Sequence, residues 1–197
     1  MNDITNLLFQ QLGQSALEQI AGRAGTPGEQ TQGLIGMAVP LLMGALAKNA
    51  ATPDGAQALH QALQNDNHAS VLDDLTGFLG GTNSSRAANG AGILQHLLGG
   101  QQQAVSEQLA QKAGMDSGAA LQILQQVAPL VLGAVAKTQL SQNLDASGLA
   151  GMLVQQQSQA QQAQPGLMGA ISSMLDRNHD GSAVDDVLSM AMNFMRR

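Results

Sequence analysis

The residues best suited to chemistry lie near the C-terminus, where positions 176–182 read Asp-Arg-Asn-His-Asp-Gly-Ser. This order follows D-x-[DN]-x-[DN]-G, the first half of an EF-hand-type calcium loop. Side-chain oxygens at loop positions 1, 3 and 5 converge on a hard cation, and glycine at position 6 permits the sharp turn. These positions are Asp176, Asn178 and Asp180, and the backbone carbonyl of Ser182 is the expected next ligand. The segment therefore predicts a bound Ca²⁺ ion.

The second half of this EF-hand-like loop, 176–187, departs from the pattern. Position 12, where a bidentate glutamate normally completes the coordination, is Val187, and the acids come earlier, at Asp185 and Asp186. Either aspartate could close a shortened loop, for which we expect modest affinity, with a Kd on the order of 10⁻⁴ M. The alternative is that both aspartates cap the last helix and interact with its N-terminal dipole.

An eroded copy of the loop is found in the first half of the chain. Positions 72–75 read Leu-Asp-Asp-Leu and align with Val-Asp-Asp-Val at 184–187, but Ala69 replaces the turn glycine. We therefore expect one calcium site per chain. His68 and His179 show no zinc-site spacing and are interpreted as solvated loop histidines.

No motif of a common enzyme class accompanies the loop. The sequence contains neither an H-E-x-x-H helix nor a glycine-rich phosphate loop between a strand and a helix. The two Asp-Asp pairs cannot share a proton, because adjacent helical residues point about 100° apart. The absence of cysteine excludes thiolate chemistry, and the net charge of −6 argues against nucleic acid as the main partner. We predict a protein that is not an enzyme.

The composition predicts an all-α fold. The chain of 197 residues has three aromatic residues and is rich in alanine, leucine, methionine and glutamine. These residues favour helices, whereas the aromatic and β-branched residues that fill sheets are scarce.

An internal repeat organises the helices. A shift of 89 residues places 16–48 on 105–137 with 11 of the 33 positions identical, including Pro40 with Pro129 and Gly44 with Gly133. We interpret the chain as two tandem homologous helical-hairpin modules that form one bundle. The first module is 1–80, a Gly/Ser/Asn-rich linker covers 81–92, and the second module is 93–197 and carries the loop.

Within each module, particular residues define the helix ends and contacts. Gly25 is expected to end the first helix as a left-handed cap, and Thr26 to cap the second with its side-chain oxygen. The two prolines should bend the second helix of each module. The glycines four residues later should allow a neighbouring helix to approach closely.

Several segments resemble a known family. The segments Leu-Gln-His-Leu-Leu-Gly-Gly at 94–100 and Ala-Pro-Leu-Val-Leu-Gly-Ala-Val-Ala-Lys at 128–137, with the acidic element at 176–186, resemble the bacterial domain-of-unknown-function 937 family. The resemblance implies an all-helical bacterial protein. It brings no established activity and no catalytic residues.

The leading functional hypothesis is a non-enzymatic bacterial scaffold that self-associates or binds a protein partner, with calcium stabilising its C-terminal module. One alternative is a peripheral membrane or lipid-binding protein, which the scarcity of basic and interfacial aromatic residues disfavours. Another is a calcium sensor that exposes methionines. The start Met-Asn-Asp-Ile lacks a signal-peptide pattern, and the longest apolar run, 34–47, is shorter than the roughly 20 residues of a membrane span, so we expect a cytoplasmic protein.

Overall fold

Every regular element in the part of the chain that the structure describes is helical, as the composition predicts. The structure is a computed structural model, and it describes residues 4–82 and 85–163. Short 3-10 turns cover Arg86–Ala88 and Gly99–Gln101, and Gly13 interrupts the first helix with a φ of +54°. The helices are α1 (Ile4–Ala24), α2 (Gly28–Asn49), α3 (Pro53–Asn65), α4 (Ser70–Asp73), α5 (Leu75–Gly80), α6 (Gly90–Leu98), α7 (Gln102–Ala113), α8 (Ser117–Gln142) and α9 (Ala146–Ala163).

The core is built around α2 and α8, which contact each other and are buried along most of their length. The helices α1 and α7 each pack against both of them, α6 packs mainly against α8, and α9 covers α2 and α3. One cluster of buried apolar side chains includes residues from both halves of the sequence. Burial of this cluster is the main source of the fold's stability.

The helix boundaries follow the spacing of the sequence repeat. Helices α1 and α7 end before Gly25 and Gly114, whose φ angles are +65° and +67°. Such left-handed positions favour glycine, so the expected cap at Gly25 is confirmed. The next helices begin at Gly28 and Ser117. The ends of α1 and α7 are thus 89 residues apart, and so are the starts of α2 and α8.

The two second helices begin differently. Asp116 caps α8, where its Oδ1 accepts hydrogen bonds from the backbone N–H groups of Gly118 (2.8 Å) and Ala119 (3.3 Å). The predicted cap at Thr26 is wrong, because its hydroxyl lies 2.8 Å from that of Thr31 and Pro27 occupies the N-cap position of α2. Thr31 is fully buried, so its hydroxyl needs a partner inside the protein.

Close approach at Gly133 is confirmed. Both Pro40 and Pro129 lie inside their helices. A Cβ atom on Gly133 would lie 3.1 Å from the carbonyl oxygen of His68 and 3.1 Å from Cγ of Leu72. The missing side chain thus lets α8 pack directly against the backbone that precedes α4.

The range predicted as a linker, 81–92, contains regular structure in its second half. It includes the 3-10 turn Arg86–Ala88 and the first residues of α6, and the side chain of Ala87 is fully buried. Helices on both sides of this range contribute to the same core.

Candidate functional site

The predicted calcium loop lies outside the described residues. All six candidate ligands belong to the segment 164–197: Asp176, Asn178, Asp180, Ser182, Asp185 and Asp186. Calcium binding therefore remains a prediction from the sequence. Within 4–82 and 85–163, no group of three or more histidine, aspartate and glutamate side chains is arranged to hold a metal ion.

The eroded copy of the loop uses its aspartates structurally. Asp73 forms an ion pair with Lys137, with Oδ1 and Nζ 2.7 Å apart. Asp74 is the N-cap of α5, and its Oδ1 accepts a hydrogen bond of 2.9 Å from the backbone N–H of Gly77. In this copy the Asp-Asp pair therefore provides an ion pair and a helix cap.

A cavity of about 480 Å³ lies between α2, α3, α6 and α8. Its size is within the range of small-molecule sites in proteins, which are mostly apolar with a few polar groups. The apolar part of the lining comes from all four helices, so residues far apart in the sequence line the same cavity. Its large apolar side chains are Leu46, Leu59, Leu63, Ile93, Leu97 and Leu132.

The polar groups of the cavity are divided between its two sides. Asn49 and Asp66 lie on the α2–α3 side, whereas Arg86 and Asn89 lie just before α6 and His96 lies in its last turn. The Oδ1 of Asn89 caps α6 by accepting a hydrogen bond of 3.0 Å from Gly92, which leaves its amide hydrogens as donors. The α6 side is therefore rich in hydrogen-bond donors and carries the guanidinium.

His68 also lines the cavity, and a tight turn positions it. After α3 ends, Asn67 adopts a φ of +51°, a left-handed conformation that asparagine tolerates better than most residues. This turn brings His68 back toward α8, where its side chain is only 4% exposed. The sequence interpretation of His68 as a solvated loop histidine is therefore wrong.

His68 differs from the other three polar residues that are almost fully buried in the described part of the chain. The hydroxyls of Thr31 and Ser106 and the amide of Gln139 all have hydrogen-bond partners. The Nδ1 of His68 has none, and neither has the buried Oε1 atom of the half-buried Gln126. An unpaired polar atom inside a protein costs free energy, and such groups often mark a binding site.

Burial sets the protonation of His68. Loss of hydration lowers its pKa from the usual 6.5, while the negative charge of Asp66 acts in the opposite direction. The net direction is downward, so the imidazole is neutral near pH 7. A neutral imidazole can offer a ligand one donor and one acceptor nitrogen.

We expect the stability of the protein to fall as the pH drops below 6.5, partly because of His68. The unfolded chain then binds a proton that the buried imidazole resists, so acid favours the unfolded state. His68→Leu should remove this contribution and flatten the dependence. Urea unfolding of both proteins between about pH 7.5 and 5.5 measures the difference. Parallel pH profiles of the free energy of unfolding would contradict the expectation, and His68→Gln provides a second variant.

Sequence reasoning located Asp66 and His68 but missed the cavity. The alignment of 72–75 with 184–187 places these two residues on Asn178 and Asp180, at ligand positions of the eroded loop. The signal for the burial of His68 was the preceding Asn67, a residue that accepts a left-handed turn. The opposite wall, at α6 and α8, could not be assigned from local sequence.

Comparison with known proteins yields one match. Residues 6–138 match the family described as "Bacterial protein of unknown function (DUF937)". The match covers every residue that lines the cavity and confirms the expected family resemblance. No curated protein and no solved structure matches the chain.

Proposed function

Because the chain belongs to the DUF937 family of bacterial proteins of unknown function, we propose a function from its site: a non-enzymatic helical interaction protein. In this proposal the cavity between α2, α3, α6 and α8 binds part of another molecule without transforming it. The chain thus serves as a binding module or scaffold, as the sequence hypothesis states.

The observation that carries the proposal is the chemistry of the cavity lining. Six of its sixteen lining residues are leucine or isoleucine, and the polar lining groups are amides, imidazoles, a guanidinium and a carboxylate. Asp66 is the one carboxylate among the lining residues in the described part of the chain. Hydrolysis of glycosides requires a pair of such groups. The lining is better suited to hold an apolar group than to attack a substrate.

Blocking the cavity should abolish binding of an apolar molecule. Ala62 is exposed and lines the cavity, so Ala62→Trp should obstruct it without disturbing the core. We expect at least about a tenfold loss of affinity for the neutral dye Nile red, equivalent to about 1.4 kcal/mol. Fluorescence titration of the full chain measures this. The matched control is Gln61→Trp, an exposed position on α3 outside the cavity, and equal affinities of the two variants would contradict the proposal.

We also propose that copies of the chain associate and that calcium stabilises the C-terminal module through the loop 176–187. The low proportion of charged residues, 11%, and the 51% exposed side chain of Val154 on α9 support association. Light scattering and thermal unfolding with millimolar calcium or with chelator test both parts. The expected result is an oligomer whose melting temperature rises with calcium and whose response is lost in Asp176→Asn. A monomer indifferent to calcium would contradict both parts.

The repeat supports an origin of the bundle from two related modules. The reciprocal packing of α1 on α8 and of α7 on α2 is the arrangement expected when two similar hairpins pack against each other. Related modules also explain why both carry the same Pro-Leu-x-x-Gly-Ala-x-Ala-Lys segment, at 40–48 and 129–137.

Peripheral membrane binding is the second candidate function. Helices α2 and α8 are long and apolar enough to span a bilayer. However, 72% of the most apolar window of each is buried within the fold, as expected for core helices. Insertion would therefore require the bundle to open. Flotation with liposomes tests this alternative, and recovery of the protein with the vesicles would favour it over the scaffold.

A further inference from the structure

The cavity combines two features that together define a ligand class. Its lining is mostly aliphatic, and its guanidinium and its carboxylate come from different elements. The aliphatic lining limits the body of the ligand, and the charged groups limit its polar end. The inference below rests on the proposed binding function and specifies what is bound.

The aliphatic lining and the volume determine the body of the ligand. A cavity of about 480 Å³ is large enough for a single hydrocarbon chain or a compact apolar molecule. Leu46, Leu63 and Leu132 are buried side chains at its apolar wall. Transfer of methylene groups from water to such a surface is favourable by about 0.8 kcal/mol for each buried CH₂ group.

The donor groups on the α6 side determine the polar end. Arg86 is exposed, and its guanidinium forms no ion pair with another residue of the described ranges. Guanidinium groups bind carboxylates through two parallel hydrogen bonds. Asn89 lines the cavity beside the start of α6, and its amide hydrogens are free to donate. Two donor side chains, those of Arg86 and Asn89, therefore lie next to this end of α6.

Asp66 fixes the direction in which such a ligand enters. Asp66 follows the last residue of α3, and its carboxylate would repel an anionic group placed beside it. An anionic head is therefore favoured at Arg86, with the apolar tail directed toward α2 and α8.

We propose that the cavity binds an amphiphile with one aliphatic chain and a carboxylate head, in which Arg86 pairs with the carboxylate and the leucines of α2, α3 and α8 hold the chain. A free fatty acid and an anionic lipid in a bilayer share this chemistry. The proposal commits to the free acid, because the cavity is bounded by four helices that also form the protein core.

The test uses three ligands of equal chain length: decanoate and decylammonium below their micelle concentrations, and decanol below its solubility. Calorimetric titration of the full chain should show decanoate binding at least tenfold more tightly than decylammonium. Arg86→Gln should weaken decanoate binding about five- to tenfold and leave decanol binding unchanged. The matched control is Lys112→Gln, which removes a positive charge at an exposed position of α7.

The outcomes separate this inference from the proposed function. Tighter binding of decylammonium, or equal affinity of Arg86→Gln and the parent for decanoate, would overturn the carboxylate assignment. If Ala62→Trp still blocked the ligands in that case, the binding function would stand. If none of the three ligands bound and Ala62→Trp left Nile red binding unchanged, both would fail. Binding to phosphatidylglycerol vesicles without binding of free decanoate would favour a membrane lipid.

Discussion

Replacing Gly90 with alanine should destabilise the protein by about 3 kcal/mol. Gly90 is the first residue of α6 and is buried. A Cβ atom at this position would overlap the backbone carbonyl of Gln125 in α8. A main-chain group within a helix cannot rotate away as a side chain can, so either α6 must shift or α8 must distort. Urea unfolding, followed by helical circular dichroism, measures the loss.

Gly100→Ala is the matched control for this substitution. No atom lies within 4 Å of the Cβ that it would add, and the φ of Gly100 is not in the left-handed region. Its effect should stay within about 0.5 kcal/mol. Similar stabilities for the two variants would show that α6 is free to move away from α8 and that the contact does not fix its position.

The position of α6 matters for the cavity as well as for the core. Leu94 and Leu98 anchor this helix among buried side chains, while Ile93, His96 and Leu97 line the cavity. A shift of α6 would therefore displace one complete wall. Gly90 thus connects the packing of the fold with the shape of the candidate site.

The features that the sequence predicted correctly are local. The all-helical fold follows from composition, and the end of α1 at Gly25 follows from the freedom of glycine to adopt a positive φ. Both signals depend only on residue type and on neighbours along the chain.

The features that could not be predicted depend on long-range packing. The cavity joins Leu46 to Leu132, and the burial of His68 requires contact with α8. The helix α9 is another such feature, because Leu149 and Leu153 are fully buried where it covers α2 and α3. Two apolar residues among many glutamines gave too weak a periodicity to reveal this face.

The eroded loop shows which residues of the second loop are evidence for a calcium site. Since Asp73 and Asp74 form an ion pair and a helix cap, an Asp-Asp pair does not by itself indicate a metal. The calcium hypothesis therefore depends on Asp176, Asn178 and Asp180, whose spacing has no full counterpart in the first half. For this reason Asp176→Asn is a sharper test than substitution of Asp185 or Asp186.

Leu46→Ala should have the second large effect and should also enlarge the cavity. The Leu46 side chain is fully buried, and truncation of such a leucine costs about 2–5 kcal/mol. Since one side of Leu46 borders the cavity, fewer packing contacts are lost, and we expect about 2–3 kcal/mol. For a chain of this length, thermal unfolding should shift downward by roughly 2–4 °C for each kcal/mol.

A ligand should recover part of this loss, because the removed atoms leave apolar space continuous with the binding site. Saturating decanol should therefore raise the melting temperature of Leu46→Ala more than that of the parent protein. Leu140→Ala removes the same atoms from a side chain that is 57% exposed, so its stability should change by no more than about 0.5 kcal/mol, and decanol should affect it as it affects the parent. If Leu46→Ala lost stability but gained nothing extra from decanol, the space beside Leu46 would be closed to ligands. Leu46 would then contribute to the core alone, and an apolar chain would have to bind against α3 and α6.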